Sequence, residues 1–288
     1  MDALPNKNKV AFLSVLAAIS ITGFKLVVGL LTGSLGILSE ALHSGLDMVA
    51  AIITYFAIKF SDRPPDKNHP FGHGKMENLS AFIETILLLV TCVWIIQEAL
   101  NRLFGAPVHI EVNFWSYTVV ITSIVIDFWR SRALFKAAKA HNSQALEADA
   151  LHFSTDIWSS SVVLLGLLFS QFGWFFADSV AALFVAIIVI YVSYKLGKRA
   201  IDVLLDRAPV DYTETVDLVL RQIPEILHYH DVKIRQSGAD VFVELNIHVA
   251  SSMTVAQAHE VAHTVEKQIC LNIKRCMVHI HQEPDREE

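Results

Sequence analysis

EALHSGLD, Glu40–Asp47, and DALHFSTD, Asp149–Asp156, decide the reading of this 288-residue chain. Each lies in a long apolar run, and each sets a histidine four residues before an aspartate. Residues at i and i+4 share one face of a helix. His43 with Asp47, and His152 with Asp156, therefore each make a polar patch on a greasy helix. A charged side chain near the bilayer centre costs ~2.5–3.5 kcal/mol on insertion scales, and such residues are functional by default. Brought together, the two faces supply two imidazole nitrogens and two carboxylate oxygens around one point. Four such donors suit a tetrahedral divalent ion, zinc above all. Nitrogen and oxygen donors also admit iron, cobalt, nickel or cadmium. The competing reading is plain interhelical hydrogen bonding, which the repetition of the pair disfavours. A catalytic centre is disfavoured too. HxxxD lacks the glutamate base of HExxH, and four protein ligands leave no open position for a reactive water. No catalytic residue and no enzyme activity are expected.

The surroundings agree with a membrane setting. The chain is 53% hydrophobic and only 18% charged, with a mean hydropathy of +0.44, too apolar for an ordinary soluble domain. A net charge of -6 and the lack of a basic patch argue against a nucleic-acid partner. Cys92, Cys270 and Cys276 form no CxxC, so reduced structural thiols are expected rather than a disulfide framework. MDALPNKNKV leads straight into an apolar run without a small-residue cleavage site, so no removable signal peptide is read.

Six runs, near 10–31, 36–60, 78–101, 113–133, 147–171 and 174–198, are long enough to cross ~30 Å of hydrocarbon as helices. Gly105 and Pro107 break the chain between the third and fourth. Lys and Arg gather before the first span, between the second and third, between the fourth and fifth, and after the sixth, while the opposite loops carry only Arg102. The positive-inside rule then places both termini in the cytoplasm.

Near residue 205 the composition becomes that of a soluble domain. TETVDLVLRQI reads as an amphipathic helix. DVFVELNIHV alternates as a strand, TVAQAHEVAHTVEKQI carries a helical apolar stripe, and CMVHIHQEP closes as a strand. The fold class is thus a six-helix transmembrane domain (1–204) followed by a small α+β, ferredoxin-like cytoplasmic domain (205–288). About 80 residues make only a marginal core, which dimerisation would support.

The whole pattern resembles the cation diffusion facilitators, a family of divalent-metal/proton antiporters. HPFGHGKMENLSA from His69, EADALHFSTD, LLDRAP and VHIHQEP all match stretches of that family. The resemblance implies export of metal from the cytosol by a homodimer in the lipid bilayer. HxxxD in the second span implies zinc, where DxxxD implies broader metals, manganese or iron. The short link KAAKAHNSQ, with only His141, implies a bacterial protein of the inner membrane rather than a eukaryotic one with a His-rich loop.

The resemblance also implies further metal positions. Asp66, His69 and His73 match a second, inner-loop site. His230, His248, His259, His281 and Glu283 are candidates for a binuclear cytoplasmic site. Many relatives have histidine at the position of Asn246, whereas here it stands two along, at His248. Lys75 and Asp206 match a charge pair that interlocks protomers. Leu151, beside His152, is a candidate for closing the cavity by hydrophobic contact, with ordinary packing as the alternative. Zn2+ is then both substrate and regulatory ligand. Because metal binding needs neutral imidazoles and ionised carboxylates, it displaces protons, and protons are the expected counter-ion. A membrane-anchored metal sensor or scaffold is the alternative from another class.

Overall fold

The computed structural model describes residues 6–33, 35–104, 114–170 and 177–285. The link containing Gly105, Pro107 and His109 lies outside them, as do the first five residues.

Six long helices stand where the six apolar runs were expected: α1 Lys7–Thr32, α2 Leu35–Ser61, α3 Lys75–Phe104, α4 Phe114–His141, α5 Gln144–Ser170 and α6 Ala177–Leu204. Each has 26 to 30 residues, where about 20 suffice to span hydrocarbon. Among the described residues, three segments are long and apolar enough to cross a membrane by length and composition: Lys7–Thr32, Glu40–Ser61 and Lys75–Asn101. The largest departure from expectation is at α4, which continues to His141. Its added turns, ALFKAAKA, consist largely of strong helix formers.

The chain divides into two compact units. The first comprises residues up to Asp62 together with Met76–Ala200. Its centre joins α1, α2, α4 and α5 through small residues, among them Ala11, Ala18, Ala51, Ala137, Ala145 and Ala150. In lipid, close packing rather than water exclusion drives helix association, and small residues permit it. Ile58, Leu134, Leu146 and Phe153 fill the spaces between them. The α1–α2 turn needs glycine at position 33, where φ is +65°.

The second unit comprises Arg63–Lys75 and the chain from Ile201 onward. Asp206, in the left-handed conformation (φ 58°), ends α6. Its N–H donates to Val203 O (3.2 Å), and that of Arg207 donates to Asp202 O (2.8 Å), a Schellman closure. Then come α7 Val210–Arg221, β1 His228–Ser237, β2 Asp240–Val249, α8 Val255–Asn272 and β3 Cys276–Pro284. The strands lie in the order β1-β2-β3, with β1 antiparallel and β3 parallel to β2. A ferredoxin-like domain runs β-α-β-β-α-β. Among the described residues the opening strand is absent, so β3 pairs directly with β2 and the sheet is mixed.

Val241, Val243, Leu245, Ile247 and Val249 face one side of the sheet and pack beneath α7 and α8. The alternate residues face the other side. There Phe242 meets Phe71 edge to face at 5.3 Å, and the Arg235 guanidinium lies 3.9 Å over the Phe71 ring. Leu245 is 2% exposed. Leu245→Ala is expected to destabilise this unit by about 2–5 kcal/mol, measured as a shift in its urea midpoint. A shift below about 0.5 kcal/mol, the size of an ordinary surface change, would contradict the packing.

Candidate metal centre

α2 and α5 pack against each other and bring the two HxxxD patches face to face. His152 Nε2 lies 3.0 Å from Asp47 Oδ1 and 3.7 Å from Asp156 Oδ2. His43 Nε2 lies 3.8 Å from Asp156 Oδ1. Donors at tetrahedral corners ~2.0–2.1 Å from a zinc ion are about 3.3–3.4 Å apart. These three separations straddle that value; ligand atoms of His43, Asp47 and Asp156 all lie within 4.8 Å of one another, while His152 stands outside that group and reaches the two aspartates. Asp47 and Asp156 are each 9% exposed and His152 is 3%. Asp156 Oδ2 has no hydrogen-bond partner, as suits an oxygen reserved for a cation.

His43, Asp47 and Asp156 border a cavity of about 80 Å³, which Trp94, Ser159 and Ser160 also line. Glu40 lies on its wall too, and sequence reasoning passed over Lys25 and Asp127 there. Lys25 Nζ donates to Ser44 Oγ (2.8 Å) and pairs with Glu40 (3.1 Å). Asp127 pairs with Arg130 at 3.2 Å. Each stands alone in its run without a repeating partner. The signal that finds them is that ionisable residues in spans point inward.

Asp66, His69 and His73 also come together. Asp66 Oδ1 lies 3.2 Å from His69 Nδ1, and Asp66 Oδ2 lies 3.4 Å from His73 Nε2. The backbone N–H groups of His69 (2.7 Å) and Asn68 (2.8 Å) donate to Asp66. The His69 hydrogen bond above all holds this carboxyl below its ordinary 3.8. Such a group supports its folded loop above about pH 4 and loses that support as pH falls through its lowered value. Asp66 thus stays ionised through the whole neutral range. Any metal ion held here competes with protons for its ligands, so its affinity is expected to fall on acidification. Cadmium or zinc titration of the His230→Ala/His248→Ala/Asp156→Ala protein between pH 5 and 8 measures it. A pH-independent affinity would contradict these ligands.

The third cluster is on the sheet face away from α7 and α8. His230 Nε2 lies 3.1 Å from His248 Nε2. Glu283 carboxylate oxygens lie 3.7 Å from each of these nitrogens. His281 Nε2 is also 3.7 Å from Glu283. Asn246 donates its amide to Glu283 (3.3 Å). His248, not Asn246, meets His230, although His230 is paired with Asn246 in the register. Among the described residues the ligand group holds His230, His248 and Glu283, so two expected members stand outside it: His281, which reaches Glu283, and His259. His259 is exposed on α8 and joins none of the ligand groups among the described residues, because α8 covers the opposite face of the sheet.

Lys75 and Asp206 form an ion pair at 2.9 Å within the one chain. Leu151 is half-buried on α5, next to the ligand His152.

A family model for the cation efflux transmembrane domain matches residues 11–205. The chain belongs to the cation efflux family. In this cation efflux transporter, residues 208–285 match the family's cytoplasmic domain. An uncharacterised transporter of Methanocaldococcus jannaschii is 32% identical over 95% of this chain and 97% of its own length. The cation-efflux pump FieF of Shewanella oneidensis is 30% identical over 94% of this chain and 92% of its own. The metal-bound C-terminal domain of the CzcD transporter from Thermotoga maritima matches 26% of this chain and 88% of its own at 32% identity, with a TM-score of 0.25. The chain is thus a multi-pass membrane transporter of divalent cations.

Proposed function

We propose that this transporter exports zinc from the cytosol in exchange for protons, as a homodimer, by alternating access through His43, Asp47, His152 and Asp156. The observation that carries this reading is the cluster between α2 and α5, where ligand atoms of His43, Asp47 and Asp156 lie within 4.8 Å of one another and His152 reaches both aspartates. Two imidazoles with two carboxylates favour zinc over the harder cations, which prefer oxygen alone. The same geometry supports proton exchange. An imidazole nitrogen 3.0 Å from a carboxylate oxygen holds a proton between them. A metal ion taking both atoms as ligands must displace it.

All six helices cross the bilayer in this reading, with residues 1–204 as the transport domain and 205–288 in the cytoplasm. The Lys and Arg distribution supports that orientation of both termini. The Asp66 and Glu283 clusters take regulatory zinc from the cytosol, and loading them shifts the transporter toward its working conformations. Lys75 and Asp206 lock the protomers at the junction, and Leu151 helps to close the cavity.

Purified protein in liposomes with a pH gradient, offered zinc, cadmium, iron and manganese in turn, tests the proposal. Zinc is expected to move fastest, and only with an opposing proton flux. Preferred movement of manganese or iron would overturn the metal, and no movement at all would overturn transport in favour of a sensor.

A further inference from the structure

The cavity beside the metal ligands already holds a cation of the chain's own. Lys25 of α1 is 4% exposed and lines that cavity together with His43, Asp47 and Asp156. Its Nζ donates to Ser44 Oγ (2.8 Å) and to Glu40 Oε2 (3.1 Å). Glu40, His43, Ser44 and Asp47 are spaced i, i+3, i+4 and i+7, so they share one stripe of α2. The ammonium is therefore tied to the face that carries two of the proposed ligands.

The neighbouring contacts fix it there. One turn before Lys25, the Thr22 hydroxyl donates to Ser44 O (2.9 Å). One turn after it, a Cβ on Gly29 would meet Leu38 at 2.8 Å, so α1 and α2 approach closely on both sides of the lysine. Burying an ammonium is costly unless it is paired, and Glu40 supplies the pair. The pairing is uneven, however. The Lys25 side chain is 6% exposed and that of Glu40 is 45%. Water screens the carboxylate more than the ammonium, which leaves net positive charge on the cavity wall.

From the Leu35 end of α2, Glu40 is five residues in, Ser44 nine and Asp47 twelve. At 1.5 Å per residue these are depths of about 8, 14 and 18 Å. Residues three apart on a helix have Cβ atoms about 5–6 Å apart. Rotation of the flexible four-carbon stem of lysine thus carries the ammonium from Ser44 toward Asp47.

We propose that Lys25 is a resident counter-cation that sets the metal affinity of the intramembrane site: it competes with a bound divalent ion for the carboxylates of the shell and so favours release. Glu40 and Ser44 are its resting place while the metal is bound. The proposal rests on the ligand reading above and extends it to a residue that touches no metal.

Zinc titration of the His69→Ala/His230→Ala/His248→Ala protein, in which only the intramembrane ligands are intact, tests it. Adding Lys25→Met is expected to tighten zinc binding by about tenfold, through loss of a like charge in a partly dry site. In liposomes the same change should lower KM and turnover together, because a tighter hold slows release. Lys25→Arg keeps the charge and should return both toward wild type. Glu40→Gln frees the ammonium from its resting place and should weaken zinc binding by about threefold or more. A lysine that merely braced α1 against α2 would not tighten binding when lost. Unchanged or weaker zinc binding in the Lys25→Met protein would therefore overturn the proposal. Should Lys25→Met not fold, the Glu40→Gln titration decides, and an affinity equal to that of its parent would overturn it. If the parent binds no zinc, it is the ligand reading that fails, and the role of Lys25 with it.

Discussion

Asp156→Ala protein in liposomes is expected to move zinc at least about 100-fold more slowly than wild type. Partners that only orient a metal ligand already cost 10–100-fold when lost, and Asp156 is proposed as a ligand itself. Its two oxygens lie opposite both histidines, His43 at 3.8 Å and His152 at 3.7 Å. Among the described residues it is the α5 carboxylate that pairs with both of them. Asp156 has one unpartnered oxygen but also pairs with His43 and His152, and removing one partner of a buried pair destabilises, so the variant's stability is measured beside its flux. Thermal stability equal to or above wild type, with flux lost, separates a ligand from a packing residue. Equal flux would remove Asp156 from the transport path.

The second large effect concerns the cytoplasmic cluster. His230→Ala/His248→Ala removes the two nitrogens that face each other at 3.1 Å and leaves Glu283 with only His281 and Asn246. Bound ligand stabilises a fold by RT ln(1 + [L]/Kd), about 2.7 kcal/mol at a hundredfold excess over Kd. In wild type, saturating zinc should therefore raise the unfolding midpoint of the C-terminal unit. In the double variant that zinc-dependent rise should vanish, while the zinc-free midpoint stays near wild type because both histidines are partly exposed. A rise of wild-type size would show that the metal binds elsewhere on this unit.

The paired HxxxD motifs were legible because helical periodicity turns spacing into a shared face. The same arithmetic could not say which cytoplasmic histidines meet. The register of β1 against β2 shifts between His230 and Lys233, and such an irregularity re-aims side chains. His248 thereby reaches His230, where a regular ladder would favour Asn246. His259 has the right chemistry on the wrong side, and only the packing of α8 shows it. Lys25 and Asp127 were overlooked for the opposite reason. Each is a single charge with no sequence partner, and its importance comes from neighbours on other helices. The parallel β2–β3 pair was equally hidden, because a strand's sequence carries no mark of its neighbour's direction.

Zinc absorption spectroscopy of the His69→Ala/His230→Ala/His248→Ala protein tests the central claim most directly, since only the intramembrane ligands then remain intact. The account predicts one zinc per chain, bound by four nitrogen and oxygen donors at about 2.0–2.1 Å, and loss of that zinc when Asp156→Ala is added. A chain that binds no zinc, or that keeps it after Asp156→Ala, would contradict the account.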